Sequence, residues 1–74
     1  MGRLAGFTYS EVARRLRRLG FEFDRQAKGS HEIWRCAHDG RKATLPRHPG
    51  DIHEGTLRAV LRQAGIGPAA FLNA

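Results

Sequence analysis

The sequence predicts an α+β fold in which one helix precedes a three-stranded antiparallel sheet and a second helix follows it. Three observations predict that order. A helix-capping pattern opens an amphipathic segment near the N-terminus, alternating residues between glycine turns fill the middle, and a periodic apolar stripe lies near the C-terminus. With 74 residues, the chain is expected to form one domain over residues 1–74, too small to enclose a deep pocket as well as a core.

The first helix is predicted between Tyr9 and Leu19. Thr8 and Glu11 form a capping box, in which each side chain accepts a hydrogen bond from the backbone N–H of the other residue. Gly20 can adopt the left-handed conformation that ends many helices, and residues 1–6 are expected to be a frayed lead-in. The apolar positions at helical spacing are Val12, Leu16 and Leu19.

Three strands are predicted next, bounded by glycine or proline, over residues 21–25, 31–37 and 41–45. Phe21 and Phe23 alternate with polar residues, so both rings are expected on one face. Lys28-Gly29 predicts a tight turn. Asp39-Gly40 favours a type I′ hairpin, because both residues accept the positive φ values of that turn.

The inward face of the second strand is ambiguous, since Ile33 would point to one side and Trp34 to the other. We expect Ile33 inward, matched by Ala43 and Leu45 of the third strand, and Trp34 on the open face. A one-residue bulge would reverse that assignment.

A second helix follows the proline-rich segment after the strands. Asp51 and Glu54 form a second possible capping box, Gly65 would end the helix, and Pro68 would open a short tail helix. Two amphipathic helices can cover only one face of a small sheet, so the other face is left to solvent or to a ligand. The stripe of this helix is Leu57, Val60, Leu61 and Ala64.

Charge points first to nucleic acid. The chain carries 13 Lys and Arg against 7 Asp and Glu, a formal charge of +6, and arginine suits bidentate contacts with phosphate. An acidic protein partner is the second choice. The single cysteine, Cys36, permits no internal disulfide, which fits the cytoplasm, and no apolar run predicts a membrane span or a secretion signal.

His31 is the candidate catalytic residue. It follows a glycine-serine turn at the start of a strand, where the sheet holds it while the turn side stays open, and a free imidazole titrates near pH 6.5. RNA can be cleaved without metal if a ribose 2′-hydroxyl attacks its own phosphate, with proton transfer at both oxygens and cations to stabilise the charge. The plain alternative is a surface histidine that only tolerates its turn, and no second proton carrier is obvious.

The candidate RNA-binding residues flank His31 in the sequence. The stretch Lys28-Gly29-Ser30 can form a phosphate nest or simply an ordinary hairpin turn. Arg41, Lys42, Arg47 and His48 would line the path of an RNA backbone, or would be the charged edge strand that blocks aggregation.

Neither a metal site nor a cofactor is predicted. The residues that raise the question of zinc are Cys36, His38, His48 and His53, and they lack the usual ligand spacing.

In order and spacing, several segments resemble the HicA family of toxins from type II toxin–antitoxin systems, over nearly the whole chain. The resemblance implies a double-stranded-RNA-binding-domain-like α-β-β-β-α fold and an mRNA interferase, a toxic endoribonuclease, whose essential histidine is His31. Gly29 and Ser30 match the turn of the family motif, and Lys28 matches only in charge. The segments are residues 11–21, 28–31, 39–41, 45–48, 54–58 and 61–65, with the tail Phe71-Leu72.

The resemblance also implies a partner, a HicB-like antitoxin whose partial RNase-H-like domain covers the histidine. We therefore expect a metal-independent endoribonuclease that acts on mRNA through His31. The rival hypotheses are a non-catalytic RNA-binding module of the same fold, and a protein-interaction domain whose basic face meets an acidic partner.

Overall fold

The computed structural model describes residues 3–74, and its order of elements confirms the predicted α+β architecture. The three strands form one antiparallel sheet in the order β1-β2-β3. The helices pack against this open sheet, α1 mainly on β1 and α2 mainly on β3. The elements are α1 (Tyr9–Arg18), β1 (Phe21–Gln26), β2 (His31–Cys36), β3 (Lys42–Pro46), α2 (Glu54–Ala64) and α3 (Pro68–Leu72).

The capping box at the start of α1 is present. The Thr8 N–H donates to Glu11 Oε1 at 2.9 Å, and the Glu11 N–H donates to the Thr8 hydroxyl oxygen at 3.3 Å. The Glu11 carboxylate also accepts a bond from the Thr8 hydroxyl at 3.0 Å, and the two bonds donated by the Thr8 N–H and hydroxyl hold the pKa of Glu11 below its usual value. The helix ends at Arg18 with Leu19 as its C-cap, and Gly20 directly after the cap has a φ of 93°, the left-handed conformation expected there.

The inward face of β2 is the opposite of the one we expected. Trp34 is fully buried, whereas Ile33 is only half-buried on the other face. Ala43 and Leu45 are indeed inward, but the register places Ala43 opposite Trp34 and Leu45 opposite Glu32. Since directly paired residues share a face, the inward apolar pair of β3 brings Trp34 into the core rather than Ile33.

Phe21 and Phe23 share the inward face as predicted, because they pair with Cys36 and Trp34. Their environments nevertheless differ. Phe21 is buried, while Phe23 is 48% exposed at the free edge of the sheet, where its ring meets Trp34 edge-on at 6.5 Å. A bulge after Phe23 shifts the register of β1 by one residue.

Two predicted local motifs are wrong. The β2–β3 connection is not a type I′ turn, because among residues 3–74 only glycines have positive φ and Asp39 therefore lacks it. Instead, the five-residue connection over residues 37–41 contains a bond from the Gly40 N–H to the Cys36 carbonyl at 2.8 Å. Asp51 does not cap α2 either: His53 is the N-cap, no side chain caps the helix, and Asp51 pairs with Thr8 in a single bridge.

The N-terminal segment is more ordered than a frayed lead-in, as far as the structure describes it. Leu4 is 1% exposed and belongs to the core, while residues 1 and 2 lie outside the described range. The tail helix is present, with Pro68 at its start and Phe71 fully buried. Arg15 fastens this tail to α1, because its Nη1 donates to the Phe71, Leu72 and Ala74 carbonyls at 2.9–3.3 Å.

Candidate functional site

His31 is the first residue of β2 and its side chain is exposed. Its backbone is held on both sides: the N–H donates to the Lys28 carbonyl at 3.3 Å, and the carbonyl accepts from the Ala27 N–H at 2.8 Å and from Gln26 Nε2 at 2.9 Å. Within residues 3–74, the imidazole itself makes no hydrogen bond. A histidine with a fixed backbone and a free ring is available to an external ligand.

Two clefts meet at His31. The first, which we call the α2 cleft, has a volume of about 410 Å³ and lies between His31 and Thr44 on the sheet and Thr56, Ala59 and Gln63 on α2. The second, which we call the histidine cleft, has a volume of about 200 Å³. It is lined by His31, Pro46, His48, Ile52, His53 and Thr56.

The histidine cleft contains three imidazoles that lie apart in the sequence. His48 comes from the loop after β3 and His53 directly precedes α2. The sequence placed His48 among the basic residues of an RNA path. His48 and His53 were also considered as zinc ligands and rejected for their spacing, and the sequence gave His53 no other role. The two prolines and the glycine of residues 46–50 predicted an irregular segment. Such a segment has no periodicity, so the sequence does not show which part of the fold it packs against.

The turn before His31 is shaped as the sequence suggested. Gly29 has a φ of 65°, a conformation that residues with a Cβ rarely adopt, and its carbonyl accepts from Gln26 Nε2 at 3.0 Å. Ser30 is exposed, and its carbonyl accepts the Arg47 N–H at 2.8 Å, which ties the loop after β3 to this turn. Lys28, Gly29, Ser30 and Arg47 therefore lie at the same end of the sheet as His31.

Arg41 and Lys42 lie at the other end of the sheet. Lys42 pairs with Arg35, four residues along β2 from His31, or about 13 Å at the usual rise of a strand. Arg41 is engaged in structural contacts: its Nε donates to Asp39 at 2.8 Å and its Nη1 to the carbonyl at the end of α2 at 2.9 Å. The structure thus separates these two cations from the group around His31.

Glu32, next to His31, is a buried carboxylate that the sequence analysis did not identify as a candidate. It is 2% exposed, and its Oε1 accepts from the Tyr9 hydroxyl at 2.6 Å and from Trp34 Nε1 at 3.0 Å. Its Oε2 lies 3.6 Å from Arg47 Nη1. In the sequence, the only sign of this arrangement is that Glu32 and Trp34 share one face of β2. The strand by itself does not show whether that face is buried.

The Tyr9 hydroxyl is affected by this carboxylate. Burial first, and then the hydrogen bond to Glu32 and its negative charge, raise the pKa of Tyr9 above its usual value. The Arg47 guanidinium lies over the Tyr9 ring, 5.2 Å from its centre, and its side chain remains 70% exposed. Glu32 and Tyr9 thus hold an arginine whose outer side is free to meet an anion.

A third cleft adjoins Arg47. We call it the Arg47 cleft; it has a volume of about 460 Å³ and is lined by Thr8, Tyr9, Ser10, Arg47 and His48 together with residues 49–50. His48 lines both this cleft and the histidine cleft. The exposed surface therefore runs from Arg47 past His48 to His31.

Over residues 3–74, no group of three or more histidine, cysteine, aspartate or glutamate residues is arranged to hold a metal ion. Cys36 is a free, buried thiol. None of the helices in that range is both long enough and apolar enough to span a bilayer.

Comparison with known proteins gives a family match. A protein-family model described as the HicA toxin of bacterial toxin-antitoxin matches residues 9–66, which include α1, the whole sheet and α2. No curated protein matches the chain. The matched range contains His31 and every other residue of the three clefts except Thr8.

Proposed function

The chain belongs to the HicA family of bacterial toxins, the toxin components of toxin–antitoxin systems, and we propose that it is an endoribonuclease that cleaves mRNA through His31. The observation that carries this proposal is the placement of His31. Its backbone is fixed by the sheet, its imidazole is free and exposed, and two clefts meet at it. A proton-transfer group needs all three properties, because it must be held still and yet reach a bound substrate.

The proposed reaction needs no metal. A ribose 2′-hydroxyl attacks the adjacent phosphorus while the bond from phosphorus to the 5′-oxygen breaks, which leaves a 2′,3′-cyclic phosphate and a 5′-hydroxyl. His31 serves as general acid or base at one of the two oxygens. The shallow, open form of the clefts suits a long polymer that enters from outside, since a domain of this size has no deep pocket.

The cations at the same end of the sheet would bind the RNA backbone. Arg47 is exposed and its guanidinium is positioned by Glu32 and Tyr9, which favours a contact with phosphate. Lys28 supplies a second charge from the turn, with Gly29 and Ser30 shaping that turn. Arg41 and Lys42 would contact the RNA further along its path, at the opposite end of the sheet.

A toxin of this kind has a cognate antitoxin, and we propose a HicB-like protein that covers the His31 surface. Such a partner would block the clefts and neutralise the cations around them, because the toxin carries a formal charge of +6. Both proteins would act in the cytoplasm, where mRNA is found.

The test compares wild type with two histidine variants. His31→Ala should abolish growth arrest on expression and lower RNA cleavage by about 10²–10⁴-fold, the usual contribution of a general acid or base. His38→Ala is the matched control, because His38 is also exposed but lies in the β2–β3 loop at the far end of the sheet. Cleavage is measured with purified protein, labelled RNA and excess chelator, and products are examined for a cyclic phosphate.

Three results would contradict the proposal. If His31→Ala remains as toxic as wild type, His31 is not the catalytic residue. RNA that stays intact at high occupancy would instead support a non-catalytic RNA-binding module, whose affinity falls steeply with salt. No affinity for RNA at moderate salt would leave the protein-interaction domain as the better description.

A further inference from the structure

The function proposed above uses one histidine, but the histidine cleft contains three. A reaction that breaks a phosphodiester in this way needs two proton transfers, one from the attacking 2′-hydroxyl and one to the departing 5′-oxygen. His31 can carry out only one of them at a time. The second group must lie within reach of the same phosphate, which restricts the choice to the surroundings of that cleft.

Of the two remaining histidines, His48 is the better placed. It lines the histidine cleft together with His31 and the Arg47 cleft together with Arg47, so it adjoins both the proposed proton carrier and the proposed phosphate-binding arginine. Of these two clefts, His53 lines the histidine cleft alone, and it is the N-cap residue of α2. A phosphate bound between Arg47 and His31 would therefore pass beside His48.

We propose that His48 is the second proton-transfer group of this site; the inference rests on the proposed function. One imidazole, neutral at the start, takes the proton of the 2′-hydroxyl as its oxygen bonds to phosphorus. The other, protonated at the start, gives a proton to the 5′-oxygen as its bond to phosphorus breaks. One proton is taken and one is given, so the step needs no other reactant, and the two imidazoles exchange protonation states.

Among the described residues, no carboxylate lines the two clefts with His48. The Glu32 carboxylate nevertheless contacts both Tyr9 and Arg47. Arg47 precedes His48, Tyr9 of α1 lies across the Arg47 cleft, and His31 of β2 and His53 line the histidine cleft with it. Each single variant replaces one of these side chains and keeps the others. A change in the pH dependence after removal of one imidazole can therefore be assigned to that imidazole.

The experiment measures RNA cleavage against pH for wild type, His48→Ala and His53→Ala. Wild type should give a bell-shaped profile of kcat/KM, since one group must be neutral and the other charged. His48→Ala should lower cleavage by about 10²–10⁴-fold and lose one limb of the bell. His53→Ala should keep both limbs. Binding of an uncleavable RNA with 2′-O-methyl groups should be retained by both variants, which separates proton transfer from a loss of affinity or fold.

Each outcome has one meaning. The loss of a limb in His48→Ala with binding retained supports the inference, and the limb that disappears assigns the acid or the base role. A complete bell in His48→Ala overturns it, as does the loss of a limb in His53→Ala alone. If wild type itself cleaves no RNA, the proposed function fails together with this inference, whereas cleavage with an unchanged bell refutes only the role of His48.

Discussion

Replacement of Glu32 by alanine should lower the free energy of unfolding by about 2–3 kcal/mol. The same replacement of an exposed acidic residue should cost less. The Trp34 N–H is fully buried and would lose its only hydrogen-bond partner in the described chain, at a cost of about 1–3 kcal/mol. Loss of the buried methylene adds about 0.8 kcal/mol. The Tyr9 hydroxyl is only half-buried and can turn to water, and the Arg47 pair is too exposed to contribute more than about 1 kcal/mol. The alanine variant no longer has to bury a charged carboxylate, and this gain offsets part of the loss of stability.

Urea unfolding followed by fluorescence is the suitable assay, because Trp34 is the only tryptophan and touches Glu32 directly. For a domain of this size, the expected loss lowers Tm by about 8–24 °C. Glu22→Ala on the exposed edge strand is the matched control and should stay within about 0.5 kcal/mol of wild type. If Glu32→Ala unfolds at the same urea concentration as Glu22→Ala, Glu32 does not stabilise the Trp34 side of the sheet, and the reasoning is refuted.

Two further predictions concern Tyr9 and the end of α2. In Glu32→Gln the charge that raises the pKa of Tyr9 is removed while burial remains, so tyrosinate absorbance of this single tyrosine should appear at lower pH than in wild type; an unchanged titration would contradict the contact. Since the folded pKa of Tyr9 is above the unfolded one, its contribution to stability is complete below about pH 10 and is lost as the pH rises through the folded value. Gly65→Ala should destabilise by about 1–2 kcal/mol, because Gly65 has a φ of 71° and a Cβ would lie 2.9 Å from Arg41. Gly55→Ala, inside α2 with open space around it, should be neutral or stabilising by up to about 1 kcal/mol in the same denaturation assay, and equal effects at the two glycines would show that backbone conformation is not the cause.

The order of the elements was predictable because its signals are local. The capping box at Thr8, the alternation of the strands and the stripe of α2 each extend over a few residues, and each element began or ended within about two residues of its predicted position. The exception has a long-range cause. Asp51 was expected to cap α2, but it pairs with Thr8, a residue far away in the sequence.

The candidate site could be predicted only in part. The glycine-serine turn and its strand made His31 the candidate, and the resemblance to HicA toxins implied the same residue. The histidine cleft could not be predicted, because His48 and His53 belong to a proline-rich segment whose path depends on the helix that follows it. The Glu32 contacts could not be predicted either, since Tyr9 and Glu32 are 23 residues apart.

The sequence by itself therefore determined which helices and strands form, in which order, and which histidine begins the central strand, because periodicity and capping act between neighbours in the chain. The tertiary structure alone decided that Trp34 and Glu32 face inward and that His31, His48 and His53 share a cleft. The physical reason is that the two faces of β2 are similar in character when only the sequence is known. The register of β2 with the next strand, together with the packing of the helices, selects which face is buried.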